Sequence, residues 1–179
     1  MPRFRTLALL VGLACLFTGA DQFIKRLIIH ALAPVGEYPV IPGVLQLVYR
    51  ENTGAAFSLF HDAPMAAIIA LNVVVVVLFG WIIWPYLQHW SGSVTAGLVL
   101  GGAAGNLLDR IFRHYVVDYL DIRYHGATVW PIFNLADICV VTGAGLLLLL
   151  LGISMWKEHA TPTPTPPVDS APTPEGPTS

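Results

Sequence analysis

The stretch APMAAIIALNVVVVVLFGWIIWPYLQHWSGSVTAGLVLGGAAGNLL, from Ala63 to Leu108, contains no Asp, Glu, Lys or Arg. It is too long for a single crossing, since about 20 apolar residues span the hydrocarbon of a bilayer. It breaks at Trp84-Pro85-Tyr86-Leu87-Gln88-His89-Trp90-Ser91-Gly92, where Pro, Gly and polar groups mark a turn. Trp84, Tyr86 and Trp90 suit the aromatic belt at a membrane–water interface. The reading is therefore two spans, about 65–84 and 93–110, joined by a short turn.

Two more apolar segments lie outside this pair. One starts near Thr6, runs to about residue 24 and can continue helically through Leu32; the other covers about 134–156 and includes the leucine block 146–151. Composition agrees. Of the 179 residues 55% are hydrophobic and 11% charged, with mean hydropathy +0.68, whereas soluble domains carry about 25% charged residues. The expected fold class is an all-α membrane protein with a small β element, forming one domain over residues 1–159. A net charge of −2 gives no case for nucleic acid. Cys15 and Cys139 both fall in apolar runs and read as small buried hydrophobes rather than a disulfide or metal pair.

Four spans put both termini on one side and two segments, about 25–64 and 111–133, on the other. All the polar clusters fall with those segments or the adjoining span ends. Tyr38–Val40 and Val44–Tyr49 have strand composition around an Ile41-Pro42-Gly43 turn, and Ala55–Phe60 reads as a further short strand or an interfacial helix. Trp130-Pro131 marks a stiff lead into the fourth span. Residues 160–179, rich in Pro and Thr, cannot bury a core and are expected to be a disordered cytoplasmic tail, to which the sequence assigns no function.

Orientation is less direct. The termini carry Arg3, Arg5 and Lys157, the other side Lys25, Arg26, Arg50, Arg110, Arg113 and Arg123, so simple counting places the termini outside. A cytoplasmic N-terminus is still favoured, because Arg3 and Arg5 precede the first span and the other basic residues are candidates for site groups. A cleaved signal peptide is the alternative for the N-terminus, with Thr18-Gly19-Ala20 as its small-residue site. Removing it would discard the span that leads into Asp21-Gln22.

Two aspartates stand out. Asp118 follows His114-Tyr115-Val116-Val117 in a segment read as loop, and Asp137 lies near the start of the fourth span. An ionised side chain at a helix centre in lipid costs roughly 2.5–3.5 kcal/mol on insertion scales, which makes such residues functional candidates. Two carboxylates held close cannot both ionise; the pair shares a proton, one member serving as general base and the other as acid. Asp21 and Lys25, four apart, share a helix face, as do Asn134 and Asp137, three apart. The blander alternatives are that Asp137 caps or pairs within a bundle, that Asp109-Arg110 is a local ion pair, that Asp121 is a solvated loop charge, and that Lys25 and Arg26 are snorkelling anchors. Gly101-Gly102-Ala103-Ala104-Gly105 reads as close helix packing.

Five blocks, in this order, resemble the lipoprotein signal peptidases, or signal peptidase II: Asp21-Gln22-Phe23-Ile24-Lys25; Glu51 to Ser58; Gly101 to Arg110; Val116-Val117-Asp118-Tyr119; and Phe133-Asn134-Leu135-Ala136-Asp137. The resemblance implies an aspartyl endopeptidase with four transmembrane helices, a small extracytoplasmic sheet and a loop over the active site. It implies Asp118 and Asp137 as the catalytic dyad. Asn52, Gly54, Asn106, Asp109, Arg110 and Asn134 would line the substrate and inhibitor site or brace the dyad, and Asp21, Gln22 and Lys25 would support it. The implied substrate is a diacylglyceryl-modified prolipoprotein, cut just before the lipidated cysteine; globomycin is the implied inhibitor. The enzyme is expected in the bacterial inner membrane among its lipids, as a monomer without cofactor or metal, its site outside and its termini in the cytoplasm. Tyr119 stands where Phe is common in the family, and Leu135 where other apolar residues occur. A proton-coupled transporter, or a scaffold with structural charges, is the rival reading of the same carboxylates.

Overall fold

The computed structural model describes residues 3–54 and 64–160. Four long helices carry it: α1 (Arg3–Leu32), α2 (Met65–Ile83), α3 (Trp90–Phe112) and α4 (Leu135–Ala160). Three of them belong to stretches long and apolar enough to cross a membrane: Phe4–Leu32, Met65–Gln88 and Leu135–Lys157. Their outer faces are apolar and exposed, as on α2, where Val74, Leu78 and Trp81 point away from the protein. That inversion is what lipid as solvent requires, since every backbone polar group is satisfied inside a helix and the side chains need no water.

α3 is different. It packs between α1 and α4, with α2 on a further side, and its Gly, Ala, Ser and Thr residues are largely buried. Small side chains let helix backbones approach where no hydrophobic effect drives them together. At Gly101 a Cβ would lie 2.9 Å from the Phe17 Cβ of α1, and at Gly102 it would run into the Ala136 carbonyl of α4. These two adjacent glycines lock α3 against a different neighbour each. Between α2 and α3 the chain turns through a short 3₁₀ segment, Trp84–Gln88, in the region where the sequence reading put the turn.

The ends of α1, α3 and α4 meet a four-stranded antiparallel sheet, β1 (Glu37–Ile41), β2 (Leu45–Asn52), β3 (Val116–Tyr124) and β4 (Ala127–Thr128), in sequential order. β1 contains the run Tyr38–Val40, and β2 takes up the run Val44–Tyr49 except Val44, which lies in the turn and closes it by a Val44 N–H to Ile41 carbonyl bond of 3.0 Å. β3 packs Val117 and Tyr119 onto Ile28 and Leu32 at the end of α1. After β4 the chain returns and Phe133 pairs with Leu120 of β3, both backbone bonds being made (3.1 and 2.8 Å). That pairing delivers the start of α4 to the middle of β3.

Several expectations need correction. Asp118 lies not in a loop but on β3, opposite Arg50 of β2. Asp121 is not a solvated charge: it is buried on the same strand and bonded to the Arg123 guanidinium at 2.7 Å. Lys25 is no snorkelling anchor, being wholly buried, whereas Arg26 is exposed. Asp109 does not pair with Arg110; its partners are Lys25 and Arg113. Cys139 is buried as expected, but Cys15 is exposed on the bundle's outer surface. α1 runs unbroken through Thr18-Gly19-Ala20. The segment 55–60 and the tail from residue 161 lie outside the described residues.

Candidate active site

Asn134 and Asp137 form a capping box at the head of α4. The Asn134 Oδ1 accepts the Asp137 backbone N–H (3.0 Å), and the Asp137 Oδ2 accepts the Asn134 backbone N–H (3.1 Å). An Asn three residues before an acidic residue satisfies two of the amides that a helix start leaves unpaired. The bland reading of Asp137 as a cap is therefore true, but it occupies only one carboxylate oxygen. The other, Oδ1, accepts from the Asn106 Nδ2 of α3 at 2.8 Å. The carboxylate also sits at the positive end of the α4 dipole, which favours its charge.

Asn134 reaches the second aspartate as well. Its Nδ2 donates to the Asp118 Oδ1 at 2.7 Å, while the Asn52 Nδ2, from the end of β2, donates to the Asp118 Oδ2 at 2.9 Å. Asn134 thus holds both carboxylates, one by its side chain and one by its backbone.

The amide orientations follow from their other partners. The Asn52 Oδ1 accepts the Gly54 N–H (3.0 Å), so its NH₂ must face Asp118. Asn106 presents its Oδ1 to the Lys25 Nζ (2.9 Å), and because an ammonium can only donate, its NH₂ must face Asp137. All four carboxylate oxygens accept one bond, and each keeps a lone pair for a proton or a water.

A buried ionic layer lies behind this. The Lys25 Nζ is 2.8 Å from the Asp21 Oδ2 and 2.8 Å from the Asp109 Oδ2. Both aspartates also bind backbone: the Asp21 Oδ1 accepts the Ala136 N–H (3.1 Å), in the first turn of α4, and the Asp109 Oδ2 accepts the Val117 N–H (3.1 Å), next to Asp118 on β3. The Gln22 Nε2 spans the Gly105 carbonyl (3.0 Å) and the Asp109 Oδ1 (2.9 Å). Arg110 donates to the carbonyls of Asn106 and Gly54, each at 3.3 Å, and its buried Nε has no partner among the described residues. Every candidate site residue named from sequence falls within this one cluster.

Two contributors escaped the sequence reading. Arg113 contacts the Asp109 Oδ1 and donates to the Gln22 Oε1 at 2.9 Å; its spacing of four from Asp109 was the available signal. Tyr119 places its hydroxyl where it accepts the Leu135 N–H (3.1 Å), capping α4 from the strand. A phenylalanine there would leave that amide to another partner.

Burial of Asp118 pushes its carboxyl up to about 6 from the ordinary 3.8, and the charge of Asp137 raises it too; the bonds from Asn52 and Asn134 and the charge of Lys25 pull the other way. The pair is electrostatically coupled and suited to carrying one proton between two carboxylates. Such a pair can take a proton from water and return one to a leaving group.

A family model described as signal peptidase (SPase) II matches residues 13–153. The lipoprotein signal peptidase of Halothermothrix orenii is 44% identical over 141 residues, covering 78% of this chain and 89% of that protein. That of Syntrophotalea carbinolica is 38% identical over 168 residues, 88% of this chain and 95% of the relative. Two structures of bacterial membrane enzymes solved by the in meso method share the fold. One has TM-score 0.70 at 23% identity over 86% of this chain and 93% of the other; the second has TM-score 0.66 at 25% identity over 79% and 91%.

Proposed function

The chain belongs to the signal peptidase II family of lipoprotein-processing peptidases, and from that premise we propose that it cuts diacylglyceryl-modified prolipoproteins just before the lipidated cysteine, with Asp118 and Asp137 activating water. The observation that carries the reading is the double grip of Asn134, which donates to both carboxylates. A mere structural cap needs only one of them.

In the proposed reaction the pair begins with one proton. The ionised carboxylate takes a proton from a water as its oxygen attacks the scissile carbonyl, and the protonated partner gives its proton to the carbonyl oxygen. Collapse of the tetrahedral intermediate breaks the C–N bond. The amine of the lipidated cysteine leaves with the proton first taken from water, while a hydroxyl of the intermediate returns its proton to the carboxylate that had given one to the carbonyl oxygen, so the new carboxyl group forms and the dyad is again singly protonated. The side-chain amides of Asn52, Asn106 and Asn134 hold the carboxylates in place throughout, so little reorganisation is needed as charge moves. Gly54, Asp109 and Arg110 shape the wall beside the pair, and Asp21, Gln22 and Lys25 brace it from behind. A substrate anchored by its lipid must be cut close to the membrane, which fits a site where helix ends meet a sheet.

In this reading α3 is a fourth span, the enzyme is a monomer in the bacterial inner membrane, its site faces outward, its termini are cytoplasmic, and globomycin inhibits it. The test is a gel-shift cleavage assay on purified protein in detergent, with a diacylglyceryl-modified prolipoprotein. Wild type cleaves and globomycin blocks it. Asp118→Asn and Asp137→Asn each lose about 10²–10⁴-fold, the usual contribution of a positioned acid or base. Undiminished cleavage by both variants would refute the dyad.

A further inference from the structure

A groove of about 630 Å³ runs between α1, α2 and α3 on the bundle's outer side. Each helix gives it neighbouring rungs of one face: Ala14 and Thr18 of α1, Asn72 and Val76 of α2, Ala103 and Leu107 of α3. The groove has room because Ala14, Gly19, Ala103 and Ala104 are small, while Val73, Val76, Val77, Leu100 and Leu107 give it apolar walls. Along its helices it leads toward the candidate site: Thr18 is one turn from Gln22, and Ala103 and Leu107 are each three residues from Asn106 or Arg110.

One residue there is out of character. Asn72 interrupts an otherwise apolar α2 and is half-buried in the groove wall. A polar side chain at membrane depth is costly and marks a functional position by default. Its Nδ2 donates to the Ile68 carbonyl (2.8 Å), and no other bond to it is found among the described residues, leaving one N–H and the Oδ1 open. α2 runs antiparallel to α1 and α3, and of the α2 residues that line the groove Asn72 lies farthest from the Trp84–Gln88 turn, so it stands toward the end of the bundle that carries the dyad. The far end, at Ala14, Val77 and Leu100, is wholly apolar. Polar mouth and apolar depth match the order ester, then hydrocarbon, along an acyl chain hanging from a group held at the site.

We propose that this groove holds one acyl chain of the substrate's diacylglyceryl group, with the Asn72 amide donating to its ester carbonyl at the mouth. The inference rests on the proposed function and adds where the lipid is read. It commits to the acyl chain of the bound substrate rather than to bulk phospholipid.

The test uses the full chain in nanodiscs and two prolipoprotein substrates, one with ester-linked chains and one with ether-linked chains that lack the carbonyl. Asn72→Leu keeps the size and loses the donor. It is expected to raise KM for the ester substrate about fivefold, the net worth of roughly one hydrogen bond, and to leave KM for the ether substrate unchanged. Ala103→Phe fills the groove and is expected to lower kcat/KM about tenfold for both substrates by displacing the lipid. Ala103→Leu, a smaller intrusion, gives a partial loss and guards against misfolding of the larger variant, with thermal unfolding recorded for each. Wild-type KM in all three variants would overturn the proposal and leave the groove to bulk lipid. An equal loss on ester and ether substrates in Asn72→Leu would overturn the role of its amide. Absence of cleavage by folded wild type would instead remove the function on which the groove proposal stands.

Discussion

At the scale of single residues, the chemistry turns on how three asparagines are oriented. Each has one end fixed by a partner of known polarity, and the other end is thereby aimed at a carboxylate. This makes the acid–base behaviour of the pair testable. Burial, with the charge of Asp137 adding to it, raises Asp118 to about 6, so Asp118 holds a proton below that pH. The singly protonated form survives below that value, and kcat/KM is expected to fall as pH rises through about 6. The Asn52 bond favours the ionised Asp118. Removing it in Asn52→Leu disfavours that form, so the alkaline limb moves to higher pH. A pH–rate profile of both proteins checks the sign; a limb displaced to lower pH would refute the assignment.

At the scale of elements, two glycines show how much of the structure is held by close approach. Gly102 meets the Ala136 carbonyl, one residue from Asp137, so Gly102→Ala must push α3 and α4 apart beside the dyad. Overpacking of this kind costs about 1–3 kcal/mol, and the variant is expected to unfold earlier in detergent and to cleave more slowly. Gly145, also on α4, has nothing within 4 Å of an added Cβ. There the same change should stabilise by up to about 1 kcal/mol, because Gly is a poor helix former. Thermal unfolding of the two variants side by side separates packing from propensity. The packing role of Gly102 and its neighbours in the Gly101–Gly105 run was legible in sequence, as were the turn after α2 and the first hairpin, because each leaves a local mark: small residues in a row, Pro beside Trp, or strand runs around Pro-Gly. The strand β3 was not. Val116–Tyr124 alternates poorly, since one of its faces packs on α1 and the other carries the site, so Asp118 and Asp121 are both buried and look like loop charges. The residues of the site could be named from motifs, but not their partners. Nothing local says that Lys25 serves Asn106, 81 positions away, or that Asp21 caps α4.

At the scale of the whole molecule, the question is which way the bundle sits. Counting Lys and Arg favours termini outside, because six basic residues lie on the site's side. The folded chain changes the weight of that count. Lys25 is wholly buried between Asp21 and Asp109, Arg113 is paired with Asp109, Arg123 is paired with Asp121 and Glu37, and Arg110 holds carbonyls in the interior. Arg26 and Arg50 are the two that stand exposed and make no ion pair with another described residue. Basic residues taken up in the proposed active site and its buried ion pairs are present for that reason whichever side it faces, so they carry little information about topology. With them set aside, the basic residues flanking the first span decide, and the orientation they lead us to expect has the N-terminus in the cytoplasm. Single-cysteine variants with Cys15 and Cys139 replaced test this. Tyr38→Cys on β1 and His89→Cys in the turn between α2 and α3 are both at exposed positions at opposite ends of the bundle. A membrane-impermeant thiol reagent applied to intact spheroplasts is expected to label Tyr38→Cys at once and His89→Cys only after permeabilisation. The reverse pattern would mean that the raw count was right, and that the site faces the cytoplasm, where a substrate lipid anchored in the outer leaflet could not reach it.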